Sequence, residues 1–246
     1  MKLRSIVLVV LGTYAVFLVG GAPAWIATGR IAAAAPGTVD FIEPHGTVWQ
    51  GGAGIRIAGA ALERIEWTFL PQRLLSGEWA YALHIADPAA KADAIAARAF
   101  SGWRVHDLAA EVQAGLLSRW LPLFGAFSPG GQIRIDAARL TFDEKNIEGQ
   151  AQLQWRNAAL SLSEVRPLGD YGAAITLRDR RADYTVKTNS GTLRVAGRGT
   201  FQPPLQWTFN GEATAAPDTL PRLQDLLKMI GTPNDKGVYV IHSGGS

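Results

Sequence analysis

The sequence predicts a mainly β protein: a single N-terminal transmembrane helix followed by a duplicated antiparallel β-sheet domain, each half closed by a short amphipathic helix. Three observations lead there. Ile6 to Ile26 form 21 consecutive positions without a charge, preceded by Lys2 and Arg4. Beyond them, apolar residues recur with period 2, as in strands with one buried face. Twice that period gives way to a helical stripe, first near Leu116 and again near Leu223.

At about 1.5 Å per residue, a helix over 6–26 covers roughly the 30 Å hydrocarbon core of a bilayer. The basic flank stays cytoplasmic under the positive-inside rule, which puts the chain from Thr28 onward across the membrane. A cleaved secretory signal is the rival reading, since Ala22-Pro23-Ala24 and Ala32 to Ala35 resemble cleavage sites. The apolar region of such a signal is usually only about 7–15 residues. Both readings export the remainder. The expected organisation is a cytoplasmic tail and anchor over 1–28, a first β half over 29–125 and a second over 126–246.

Composition narrows the function. Cysteine is absent, so disulfides, thiolate catalysis and Cys-based zinc sites are excluded. The net charge of +3 is mild, and Lys2, Arg4 and Arg30 flank the apolar span. With no Lys/Arg run, nucleic acid is not an expected partner.

Arg30 to Gly37 reads as a small-residue linker. Ile55 and Ile57 then alternate with Arg56, and Ile65, Trp67 and Phe69 share a face. Trp79, Tyr81, Leu83 and Ile85 form the clearest strand, bounded by Ser76-Gly77 and Asp87-Pro88. Ile95, Ala97 and Ala99 form a weaker one in an alanine-rich stretch, and Trp103, Val105 and His106 resume extension toward Val112. Leu116, Leu117, Trp120 and Leu121 make a helical stripe that Pro122 ends. In the second half Ile133/Ile135, Ala151/Leu153/Trp155, Ile175/Leu177, Tyr184/Val186, Leu193/Val195 and Trp207/Phe209 alternate. Turn residues lie at 146–149, 179–181, 189–191 and 197–199. The closing helix has Asp218 or Thr219 as N-cap, Leu220, Leu223, Leu227 and Ile230 as its buried stripe, and Gly231 as terminator.

The halves resemble each other loosely. Gly54 to Ile57 aligns with Gly131 to Ile135, Ile65-Glu66-Trp67 with Leu153-Gln154-Trp155, and Leu121 to Gly125 with Met229 to Gly231. A duplicated sheet either stacks as a sandwich or continues as one long curved sheet with an apolar concave side.

No catalytic, cofactor-binding or metal residue is predicted. His45 reads as a turn residue, His84 and His106 as strand residues and His242 as part of a polar tail; none has a partner at metal-ligand spacing. Asp143-Glu144 reads as a solvated hairpin turn and Asp179 to Asp183 as a charged loop. Gly51 to Gly54 and Gly197-Arg198-Gly199 read as turns and bulges, without the lysine of a phosphate loop. Trp67, Trp79, Trp155 and Trp207 stand in phase with aliphatic neighbours and read as core; Trp49 is pinned between glycine turns.

The order of these pieces resembles a known family. Gly46-Thr47-Val48-Trp49-Gln50-Gly51 follows the anchor, and Ile65-Glu66-Trp67 runs into Leu70-Pro71 and Leu74-Leu75-Ser76-Gly77. Then come Leu153-Gln154-Trp155-Arg156-Asn157-Ala158, Pro167-Leu168-Gly169-Asp170-Tyr171, Leu223 to Gly231 and Gly237-Val238-Tyr239. Together they look like protein N of the bacterial type II secretion system, from the anchor to Gly244. The resemblance implies a non-enzymatic, single-pass inner-membrane component. Its periplasmic β domain would contact other secretion-system proteins, with no catalytic residue or cofactor. The alternative is a β-groove protein that binds or carries lipids between membranes. A glycan-cleaving enzyme using Asp143 and Glu144 lacks the acid–base constellation it needs.

Overall fold

The computed structural model describes residues 19–34, 36–57, 60–120, 128–143, 146–203, 206–235 and 237–245. The strands are β1 (Val39–Gly46), β2 (Gln50–Ile57), β3 (Ala60–Phe69), β4 (Trp79–Ala86), β5 (Ala90–Ala99), β6 (Gly102–Gln113), β7 (Gly130–Phe142), β8 (Ile147–Ala159), β9 (Gly169–Arg178), β10 (Arg181–Gly191), β11 (Leu193–Gln202), β12 (Gln206–Ala215), β13 (Thr232–Pro233) and β14 (Tyr239–Gly245). The helices are α1 (Ala24–Ala34), α2 (Ala114–Trp120) and α3 (Leu220–Ile230), with a 3-10 turn at Pro71–Ser76.

All fourteen strands belong to one antiparallel sheet in which neighbours in sequence are neighbours in space until β14 inserts between β12 and β13. Of the two arrangements left open by the sequence, this is the single continuous sheet. At about 4.8 Å per strand it extends on the order of 60 Å across the ladder. The expected halves meet in a hydrogen-bonded pairing of β6 with β7, from Trp103 opposite Phe142 to Gln113 opposite Gln132.

Register aligns the alternation across the whole sheet. Phe41 faces Ile55, Trp67 faces Leu83, Val112 faces Ile133, Ile135 faces Leu153, Ile175 faces Tyr184 and Phe201 faces Trp207. Each pair lies on the same side. The other side carries Glu66 opposite His84, Glu111 opposite Arg134, Gln152 opposite Ala174 and Asn210 opposite His242. One face is therefore mainly apolar and the other polar; bulges, such as those between Asp93 and Ile95 and between Asp136 and Leu140, shift the phase within strands so that the apolar side is kept across the ladder.

Helices cover parts of the apolar face. Ala24 of α1 is buried with Ala53 and Trp67. Leu116 of α2 packs against a cluster of Ile55, Leu62 and Ala90. Leu223, Leu226 and Leu227 of α3 seal the largest cluster, with Leu168, Tyr171, Leu193, Tyr239 and Ile241. α2 and α3 lie at the same end of the strands. One sheet edge is blunted, since α1 runs beside β1, which is bulged between Ile42 and His45; at the other edge β13 pairs only with Tyr239 and Val240 of β14.

Several expectations need correction. Of the proposed span Ile6–Ile26, residues 6–18 lie outside the described residues. Helical backbone at Val19–Gly20 gives way at Gly21, and Pro23 bridges to Thr47 before α1 begins. Pro23 has no N–H with which to continue an upstream helix, so a continuous helix to Ile26 does not form. No helix of the described residues is long and apolar enough to cross a membrane. The linker expected over Arg30 to Gly37 is helical through Ala34. His45 belongs to β1 rather than a turn, and His242 to β14 rather than a tail. Gly197 and Gly199 lie inside β11, not in a turn. In α3 the buried residues are Leu223, Leu226 and Leu227, while Leu220 is 37% exposed. Of the second helix, Leu121 to Gly125 lies outside the described residues.

Candidate functional site

The apolar face is the feature that most needs a functional explanation. Between the helical covers it displays Leu140, Ile147, Leu153, Ile175, Leu177 and Val186, all half-buried. A second sheet would close such a face into a sandwich core; among the described residues there is none. Tyr184 and Phe209 stack on this face with centroids 6.3 Å apart and planes 7° from parallel. Both flank Gly199 in register, and a Cβ there would stand 2.5 Å from the Tyr184 ring. Gly197 plays the same part for Phe209, whose ring is 2.6 Å from where its Cβ would be. These strand glycines make room for rings from adjacent strands, which explains why they are not turn residues.

The strand ends opposite α2 and α3 gather aromatic residues. Trp49, Phe69 and Trp79 form a triangle with centroids 4.8–5.7 Å apart, and Tyr81 joins Phe69 at 5.4 Å. Trp49 Nε1 donates to the Val19 carbonyl at 2.7 Å, and Val48 N–H donates to the Ala22 carbonyl at 2.9 Å. The N-terminal segment thus enters the fold at this end. Trp79 and Trp103, 45% and 55% exposed, form part of the rim; for Trp79 this replaces the core position expected from its phase.

Beside the aromatic cluster, on the polar face, sits Glu78, only 5% exposed. Its Oε2 accepts from Arg73 Nη1 at 3.4 Å and its Oε1 from Arg104 Nη1 at 2.8 Å. His106 Nε2 lies 3.3 Å from Oε1 but is poorly aimed for a hydrogen bond, and it has no hydrogen-bond partner among the described residues. The hydrogen bond from Arg104 is the main reason the Glu78 carboxyl is held below the usual carboxylate range, against the opposing effect of burial. Ala80 and Ala97 are fully buried here, opposite each other and followed in register by Arg104. The alanine-rich stretch is therefore a strand whose small residues leave space for this ionic cluster. The sequence concealed the setting of His106, whose neighbour Glu78 is 28 positions away.

The other candidate residues are dispersed. His84 Nδ1 pairs with Asp93 at 2.7 Å, and His242 with Asn210 at 2.8 Å, both on exposed strands. His45 Nδ1 is 3.4 Å from its neighbour's carbonyl at Glu43. Asp143 accepts from the Asn146 N–H at 2.6 Å in the β7–β8 turn; Glu144 lies outside the described residues. Of the expected charged loop, only Asp179 and Arg180 form a turn; Arg181 and Asp183 open β10, where they pair at 2.9 Å. Burial pushes the Tyr171 phenol far up, and its O–H donates to the Leu193 carbonyl at 2.9 Å, a structural role. Among the described residues no group of three or more His, Asp or Glu side chains is placed to hold a metal.

A family model for type II secretion system (T2SS) protein N matches residues 39–242. The chain belongs to the type II secretion system protein N family. A protein of that name from Pectobacterium carotovorum subsp. carotovorum is 24% identical over 247 residues, covering 94% of this chain and 92% of the relative. No solved structure matches. Membership implies a role in the type II secretion system, and the matched region spans the sheet almost from β1 to β14. In this protein N family member the apolar face and the aromatic end are thus properties of the family-matched region itself.

Proposed function

We propose that this member of the protein N family is a non-enzymatic, inner-membrane-anchored component of the type II secretion system. Its sheet lies in the periplasm and supports export of folded proteins across the outer membrane through contacts with other secretion-system proteins. Neither a cofactor nor nucleic acid has a part in this reading. The observation that carries it is the entry of the N-terminal segment at the aromatic end. The charge-free stretch beginning at Ile6 leads directly to Val19, whose carbonyl is held by Trp49. A bilayer anchor there tethers the domain and raises its local concentration at the machine. The sequence match between halves pairs β2 with β7 and β3 with β8, while α2 and α3 follow six strands each. Duplication of an ancestral half remains part of the proposal in this looser form.

The test is secretion in cells lacking the protein, complemented by the full chain or by residues 19–246 behind a cleavable export signal. The cut falls after residue 18 because Ala24 belongs to the core. The tethering reading expects the soluble form to reach the periplasm folded yet restore secretion poorly. Full restoration by the soluble form would discard the anchor as a functional element.

The open apolar face favours a second reading, in which acyl chains shelter against the sheet in transit. Phospholipid extracted in stoichiometric amount from the purified protein supports it. A lipid-free protein with the same fold counts against it.

A further inference from the structure

The turn at Pro71–Ser76 has no buried residue, and it holds Leu74 47% exposed and Leu75 94% exposed. Phe100, in the neighbouring β5–β6 turn, is fully exposed, and Trp103 beside it is 55% exposed with Arg98 stacked over its ring at 5.5 Å. Large apolar side chains at the tips of two adjacent turns are a liability in water unless something covers them. Flexibility does not explain their exposure, because the two turns are braced. Glu78 joins Arg73 of the first to Arg104, and Arg104 Nη2 donates to Ser101 Oγ of the second at 3.0 Å.

What covers them follows from where the chain goes. The β1–β2 turn at Thr47–Trp49 lies at the same strand ends, and there Trp49 and Val48 bind the carbonyls of Val19 and Ala22. Thirteen uncharged residues, Ile6 to Leu18, precede that point. Tryptophan and tyrosine favour the layer between headgroups and hydrocarbon, and Trp49, Trp79, Tyr81 and Trp103 all stand at these ends. Neighbouring strands rotate by about 20–25°, so the far strands turn their ends away. Only the region near β2 to β6 meets a plane defined by the entering segment.

We propose that Leu74, Leu75, Trp79, Phe100 and Trp103 form a bilayer-docking surface that dips into the lipid interface beside the point where the chain enters the membrane. It rests on the anchored reading for its location and adds a second, side-chain contact with lipid. Such a contact fixes the tilt of the sheet and brings one end of its apolar face down to the lipid, where a tether alone leaves the domain free to rotate.

The absence of cysteine makes the test direct. The full chain carrying Leu75→Cys, Phe100→Cys or, at the far end on α3, Gln224→Cys is labelled with a polarity-sensitive fluorophore and reconstituted into vesicles of phosphatidylethanolamine and phosphatidylglycerol. Docking expects labels at 75 and 100 to shift to the blue, to be quenched by lipid-borne nitroxides and to be shielded several-fold from iodide. The label at 224 stays aqueous. If the protein floats with the vesicles while labels at 75 and 100 behave as in water, docking is wrong and the anchor stands. If it does not float at all, the anchored reading falls and docking with it. Shielding at 75 and 100 that arises only on adding another secretion protein overturns docking in favour of a protein partner.

Discussion

Glu78 is ionised in a place that excludes water, and two arginines and the neighbouring His106 make that tolerable. Its carboxyl is held down, chiefly by the Arg104 hydrogen bond, so the charged form stabilises the fold. That contribution is fully present above the unfolded carboxylate range and is lost as pH falls through the depressed native value. Glu78→Ala is expected to destabilise the protein at neutral pH by about 1–3 kcal/mol, given that both arginines are about one-third exposed. Urea unfolding midpoints at about pH 7 and about pH 3 check this, since the gap between wild type and variant should narrow in acid. Gly199 gives a steric counterpart. Gly199→Ala drives a methyl into the Tyr184 ring and the Thr208 carbonyl, and it should cost about 1–3 kcal/mol, whereas Gly77→Ala at an open turn is limited to left-handed backbone strain. Nothing in the sequence around Glu78 or Gly199 announces these roles, because each depends on a residue brought in from another strand.

At the scale of elements, α3 shows how a helix is held by packing more than by its ends. Thr219 stands at the N-cap position, yet its hydroxyl donates backward to the Ala216 carbonyl instead of capping the helix. Gly231 ends α3 in an extended conformation that leads into β13, not in the left-handed form of many helix ends. Stability therefore rests on Leu223 and Leu227, both fully buried. Leu227→Ala should cost about 2–5 kcal/mol, while Met229→Ala, at a position 54% exposed, should cost well under that; thermal or urea denaturation separates them. Period and terminators made this helix legible, but choosing Leu226 over Leu220 required knowing which way the sheet lies beneath it. β1 and β14 escaped sequence reading because a bulge at Ile42–His45 interrupts one alternation and the other has only Tyr239 and Ile241 to show.

For the whole molecule, the consequence of pairing the fourteen described strands in one sheet is an apolar face that the three described helices cover in part. If that face receives acyl chains, Ile175→Asp and Val186→Asp should leave far-UV circular dichroism unchanged, because both sites are half-exposed, and should reduce co-purifying phospholipid severalfold. Equal lipid content in variant and wild type would assign the face to a protein partner. The central location of these residues, away from α2 and α3, makes them a cleaner probe than the sealed cluster around Leu168.

The sequence by itself determined the β class, most strand positions, helical stretches near Leu116 and Leu223, the absence of cysteine chemistry and the resemblance to the protein N family, because period, composition and motif order are written in contiguous residues. Only the tertiary structure decided that the strands form one open sheet, that Gly197 and Gly199 serve rings on neighbouring strands, and that Glu78 braces two apolar tips. Those facts depend on register and on contacts between residues distant in the chain. Alternation says that a strand has a buried side, but long-range pairing alone says what lies against it.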